Sequence, residues 1–187
     1  MQPSQIISES ESKFKRAVEH FEEELKKIRT GRAHPGMLDG VIVTAYGTPM
    51  PIIQVGNVTA PEAQLLQITP FDPSNIQAIA AAIRDNPSLG LNPSDDGRVV
   101  RVPIPALTED RRKEIVKQLG GKVEEALITM RGVRHDAMDG IDAAKKDKAV
   151  SEDEAKRLSN QIDDMMNKNK AQIDALSAAK EAEVMKV

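Results

Sequence analysis

Residues 108–154 read TEDRRKEIVKQLGGKVEEALITMRGVRHDAMDGIDAAKKDKAVSEDE, and this stretch decides the fold. Thr108 is a good helix N-cap, and Glu109 and Asp110 are the acids that favour a first turn. From there Val116, Leu119, Val123, Leu127, Met130, Val133, Ala137, Ile141 and Ala144 recur at threes and fours, an apolar stripe on an otherwise charged helix. Continued to about Asp147, this predicts a helix of about forty residues and ~60 Å. Gly120, Gly121, Gly132 and Gly140 interrupt it, each costing ~1 kcal/mol relative to Ala. Ser151-Glu152-Asp153-Glu154 is a capping box that opens a further helix. Its stripe is Leu158, Ile162, Met165, Ile173 and Leu176, with Asn169 at an inward position. The short linker at Val150 makes the two helices antiparallel.

Working outward, the chain opens with a third amphipathic helix. Ile7, Phe14, Val18, Phe21, Leu25 and Ile28 fall on one stripe. Lys26, Lys27 and Arg29 belong to its last turn, where cations suit the helix dipole, and Gly31 supplies a left-handed stop. Three long helices with narrow stripes bury them against one another, which predicts a three-helix bundle built from residues 1–30 and 106–187. The middle, 31–105, reads differently. It holds ten of the eleven prolines, four basic residues and six acidic ones. Val41–Tyr46 and Leu65–Ile68 read as strands, and Asp72–Asn86 as a short helix with Ile76, Ile79 and Ile83 inward. Asp96-Gly97 reads as a hairpin turn feeding the strand Val99–Val102. The fold class is therefore α+β: a long antiparallel three-helix bundle with a small α/β domain inserted after the first helix. Gly31-Arg32 at one crossing and Pro103-Ile104-Pro105 at the other are short, stiff connectors, the pattern of a hinge that rotates without wandering.

Composition removes many functions. With no Cys among 187 residues there is no disulfide, thiol nucleophile or zinc–thiolate site. Lys and Arg number 26 against 29 Asp and Glu, a net charge of -3, so there is no global pull toward nucleic acid or anionic membrane. The aromatics are Phe14, Phe21, Tyr46 and Phe71, too few for a base-stacking platform. No apolar run spans a membrane, and Met1-Gln2-Pro3-Ser4 shows no signal peptide. The expectation is a cytoplasmic protein without a metal or other cofactor.

Nor is there a recognisable catalytic set. The phosphate-loop and dinucleotide fingerprints are missing, and His20, His34 and His135 lack ligand spacing. Glu152-Asp153-Glu154 reads as helix-start acids. We therefore expect no enzyme. The basic residues are more informative. Arg29 and Arg32 cluster at the end of the first helix, and Lys113, Lys117 and Arg131 share one side of the long helix. Arg131 and Arg134 are a turn apart. Arg134 lies at the edge of the apolar stripe, which predicts a packed stem and an outward head; the rival reading pairs it with an acid across the bundle. From periodicity alone the chain is a helical bundle with an α/β insert, an adaptor for RNA or for protein.

Several motifs, in order along nearly the whole chain, sharpen this. Ile28-Arg29-Thr30-Gly31-Arg32-Ala33, Tyr46-Gly47-Thr48-Pro49-Met50-Pro51 and Leu89-Gly90-Leu91-Asn92-Pro93 resemble ribosome recycling factors. So do the run Arg101–Lys113 and the arginine motif Arg131-Gly132-Val133-Arg134-His135-Asp136-Ala137. The resemblance implies an L-shaped, tRNA-like monomer that binds the post-termination ribosome. It further implies that elongation factor G, with GTP, then helps to split the subunits. Carried over by motif, Arg131 and Arg134 would contact large-subunit ribosomal RNA, with Arg29 and Arg32 nearby; Lys113 and Lys117 join the candidate set by their place on the side of the helix that carries Arg131. Their role would be phosphate pairing by a bidentate fork or point charge. His135 stands where the family usually has a second arginine, and Ala106 replaces a common proline. The other readings are a bundle adaptor or cochaperone that binds protein only, and an unrecognised hydrolase.

Overall fold

A computed structural model of the chain describes residues 2–186; Met1, with which the reading of the amino terminus begins, lies outside them. The chain divides into two compact units. One runs up to Thr30 and resumes at Glu109; the other is Gly31–Thr108. The second crossing therefore falls three residues beyond the Pro105–Ala106 boundary read from the sequence. Leu107 stays with the insert, since a side chain added to Gly31 would meet its Cγ at 3.3 Å.

The first unit is three helices. α1 is Pro3–Lys26, α4 is Glu109–Lys146 and α5 is Glu152–Met185, and each packs on the other two. Pro3 opens α1, where its missing N–H costs nothing, and the Gln2 amide donates to Gln5 Oε1 at 3.1 Å. Ser151 caps α5, its hydroxyl accepting from the Glu154 amide at 3.1 Å. One core of buried side chains joins Phe14, Val18 and Phe21 of α1 to Leu119, Met130 and Ile141 of α4 and to Leu158, Ile162 and Ile173 of α5.

The register differs in places from the expected stripes. Ile6, not Ile7, is buried in α1; Ile115 and Ala126, not Val116 and Leu127, are buried in α4. A helix packed between two neighbours buries a face wider than one row, and the centre of that face drifts along its length. α5 adds Ala155 and Val184, while Met165 and Leu176 sit at the core's edge. α1 ends at Lys26 with Lys27 as its C-cap in right-handed geometry, so Arg29 lies past the last turn. Gly31 does adopt φ +80°, but in the connector, and it does not stop the helix. Gly140 has a packing role, because a Cβ there would come within 3.2 Å of Ile6 Cδ1, whereas Gly120, Gly121 and Gly132 face open space.

The second unit opens with a 3-10 turn, Pro35–Leu38, followed by a hairpin, β1 (Ile42–Ala45) and β2 (Thr48–Pro51), then a single turn α2 (Ile52–Val55). β3 (Gly56–Glu62), β4 (Leu65–Pro70), β5 (Ser94–Asp95) and β6 (Val100–Pro103) form an antiparallel sheet in the order β3-β4-β6-β5. α3 (Ile76–Arg84) buries Ile76, Ile79 and Ile83 in the core shared with Val43, Leu66, Ile68, Val100 and Val102. The expected helix from Asp72 starts later: Asp72 caps a short turn, Pro73–Asn75, by accepting from the Ser74 amide at 3.0 Å. β2 and β3 carry prolines at Pro49, Pro51 and Pro61, which hid them as strands; both are outer strands, where a missing N–H is tolerated. At the Asp96-Gly97 turn, the Asp96 carboxylate accepts from the Arg98 and Val99 amides and from Arg101, at 2.9, 3.0 and 2.6 Å. These bonds, the Val99 amide foremost, hold its pKa well below the usual carboxylate range.

The observed register makes a direct test. Met130 is fully buried and Ile128, two residues before it, is 57% exposed. Thermal and denaturant unfolding of Met130→Ala is expected to show a loss of ~2–5 kcal/mol. Ile128→Ala is expected to stay within ~0.5 kcal/mol of the parent.

Candidate nucleic-acid interface

The cations singled out in the sequence differ sharply in what they already hold. On α4, Lys113 is paired with Glu109 at 3.0 Å. Arg131 is paired with Glu124, two turns back on the same exposed face. Arg134 Nε donates to Asp163 Oδ1 of α5 at 2.6 Å, with both side chains nearly half exposed. The outward head expected from its place on the helix is thus turned sideways across the α4–α5 seam. These links are surface pairs in high dielectric, each contributing at most ~1 kcal/mol. Lys117 is exposed on the same side of α4 and forms no ion pair among the described residues.

Arg29 sits in a second setting. The chain leaves α1 through Lys27, whose amide donates to the Glu24 carbonyl, and the Ile28 amide donates to the Leu25 carbonyl at 3.1 Å. This places Arg29, exposed, beside a depression shared with Lys27, Arg111, Gln118, Gly121 and Lys122. The acids there are largely answered. Glu24 accepts from Lys27 at 2.9 Å and pairs with Lys122 at 3.2 Å, and Lys122 also pairs with Glu125 at 3.5 Å. The Lys27 hydrogen bond, then that of Lys122, lowers the Glu24 pKa, and the Glu24 bond raises that of Lys122. Arg32 is exposed and belongs to the other unit.

Two cations were missed in the sequence. Lys13 and Arg16, with His20 one turn further on, line the wall of a groove between α1 and α4 whose floor is Ala17, Phe21, Ala126 and Val133. Lys13 and Arg16 hold no ion pair among the described residues. Their spacing of three residues was a legible signal, hidden by the acids around them in a helix read only for its apolar stripe.

The remaining candidates have structural work. His34 Nδ1 accepts from the Gly36 amide at 2.9 Å, and His135 lies 3.5 Å from Asp139 on the same helix. Pro103 is paired with Leu65 in the sheet, and the Ile104 amide donates to the Gln64 carbonyl at 2.8 Å. Both are therefore anchored in the insert. Among the described residues no group of three or more His, Asp or Glu is arranged for a metal ion, and no helix is long and apolar enough to cross a membrane.

Comparison with known proteins agrees along the whole chain. Residues 21–185 match the family model for ribosome recycling factor. The ribosome-recycling factor of Cutibacterium acnes is 45% identical over 184 residues, covering 98% of this chain and 100% of that protein. That of Saccharopolyspora erythraea is 44% identical and covers 98% of each. A solution structure of the ribosome recycling factor superposes with a TM-score of 0.78 at 36% identity, covering 100% of this chain and 99% of the other. Models of the T. thermophilus factor and E. coli elongation factor G bound to the E. coli post-termination complex give 0.65 at 35% identity, covering both chains fully. Sequence and backbone thus agree from end to end, and the chain belongs to the ribosome recycling factor family.

Proposed function

We propose that this chain binds the post-termination ribosome and, with elongation factor G and GTP, promotes its splitting into subunits for a new round of translation. It acts as a cytoplasmic monomer and leaves nucleotide hydrolysis to the GTPase. The observation that carries this reading is the full-length match to a family in which the T. thermophilus member is bound, with that GTPase, to the post-termination complex. The charge distribution supports it. Exposed cations concentrate on the bundle, and the sequence from Ala33 to Ile83 contains no Lys or Arg.

On this reading Arg29, Arg32, Lys113, Lys117, Arg131 and Arg134 meet ribosomal RNA phosphates, joined by Lys13 and Arg16. The unpaired members supply new charge neutralisation; the paired ones trade a carboxylate for a phosphate. The joint comprises Gly31-Arg32 and the return through Pro103-Ile104-Pro105. Because Pro103 and Ile104 are held by the sheet, rotation falls to Gly31-Arg32 and to the residues following Ile104. The function is tested by light scattering of purified post-termination ribosomes with elongation factor G and GTP. Scattering should fall faster when the chain is added; an unchanged rate overturns the reading.

The paired and unpaired cations should behave differently. Lys117→Gln and Arg29→Gln should each reduce the slope of log affinity against log salt by ~0.7–0.9, one phosphate's worth, with melting unchanged. Ribosome binding measured by co-sedimentation at several salt concentrations gives this slope.

The Arg134–Asp163 pair separates a binding role from a structural one. Arg134→Ala should weaken ribosome binding by ~1–3 kcal/mol. Asp163→Ala should leave binding equal or tighter, because it frees the guanidinium. If the pair serves only the bundle, both variants lower the melting temperature alike and neither shifts affinity. Arg134→Lys should recover part of the loss, as a point charge replaces a fork.

A further inference from the structure

The seam between α1 and α4 is not filled along its whole length. Ala17 on α1 and Ala126 on α4 both end at a methyl group, and the groove above them encloses about 440 Å³. Ala17, Ala126 and Val133 belong to the core, yet they keep 7%, 8% and 8% of their surface open. Solvent therefore reaches an apolar floor. A cleft of this volume, apolar below with a few polar groups above, is of the kind that takes a small molecule.

Charge is divided along the groove. At one end Glu24 accepts from Lys27 at 2.9 Å and pairs with Lys122 at 3.2 Å, and Lys122 also pairs with Glu125 at 3.5 Å. Those ions answer one another. At the other end Lys13 and Arg16 stand one turn apart on α1, exposed and holding no ion pair among the described residues. An anion belongs at that end, where the guanidinium presents parallel N–H groups to one oxyanion. Arg16 and Glu24 are about two turns apart, ~12 Å along the helix, which sets the length of the ligand. The complementary molecule has an anionic head at Lys13 and Arg16 and an apolar body lying along the floor.

The floor narrows the class further. Phe21 is 1% exposed, so no ring face is open to a stacked base. Packed helices lie ~8–10 Å apart, and with long side chains on both rims the trough is about one extended chain wide. A third helix, ~10–12 Å across, would rest on the rims without reaching the alanines. An unbranched run of methylenes lies flat in such a trough and gains from each group it buries.

We propose that the groove between α1 and α4 is a binding site for a free acyl carboxylate of medium length, its head held by Lys13 and Arg16 and its chain lying over Ala17 and Ala126. The site stands on the groove and not on the recycling function. A carboxylate seated there competes with an RNA phosphate for the same two cations.

The test titrates the isotope-labelled full chain with decanoate, held below its micelle concentration, and follows the backbone amide resonances. Saturable shifts are expected within residues 13–24 and 122–133, the span of the groove. Acetate, which has the head alone, and decylammonium, which reverses its charge, should leave those resonances in place. Lys13→Gln combined with Arg16→Gln should raise the decanoate Kd about fivefold or more with melting unchanged. Ala126→Leu fills the floor and should abolish binding. The double glutamine variant changes exposed residues only, so it decides the matter if that leucine disturbs the packing. The site is overturned if the parent shows no saturable shift, if the double variant keeps the parental Kd, or if decylammonium binds as well as decanoate. Shifts confined to the insert's exposed apolar side chains, Ile42, Tyr46, Ile53 and Phe71, place the acyl chain on that patch and overturn the groove. Binding to phosphatidylglycerol vesicles without binding of free decanoate overturns the free acid as the occupant.

Discussion

Phe14 and Phe21 have essentially no surface in solvent, and their cover comes from helices that begin about 90 and about 130 residues later. α1 closes its apolar face only when α4 and α5 return to it. A helix with that much apolar surface is not stable alone, so tertiary burial holds it. The chain must therefore leave the bundle after α1, complete a second core of its own, and come back. The insert is built to allow this. The Ala33 amide donates to the Ala63 carbonyl at 2.7 Å, and the Ile104 amide donates to the neighbouring Gln64 carbonyl at 2.8 Å. Its incoming and outgoing segments are thus fastened to one turn, and both connectors can stay short.

Two separate cores permit two separate surface chemistries. The bundle carries nearly all the charge, with both signs interleaved, so its net value says little about what it binds. What matters is which cations are already answered. Lys113, Arg131 and Arg134 each hold an acid, whereas Lys117, Lys13 and Arg16 hold none among the described residues. Phosphates gain counterion release wherever they meet such groups. The insert over 33–83 carries no cation and shows aromatic and branched side chains instead.

The sequence by itself determined the three helices, their antiparallel pairing, the position of the insert and the family. Apolar spacing, the cap at Ser151 and local motifs are short-range properties, and nothing distant overrides them here. It also marked Arg29, Lys117 and Arg131 as exposed cations. Tertiary structure alone decided the rest. The burial of Ile6, Ile115 and Ala126 depends on where two neighbouring helices sit, which no single-helix period contains. The proline-bearing strands β2 and β3 exist because each takes an outer position, a fact of sheet order and not of propensity. The pairing of Arg134 with Asp163 spans two helices, 29 residues apart in sequence. The exposed edge from Ile42 to Phe71 likewise has no sequence signature, because its members read as ordinary strand and turn residues until folding leaves them outside.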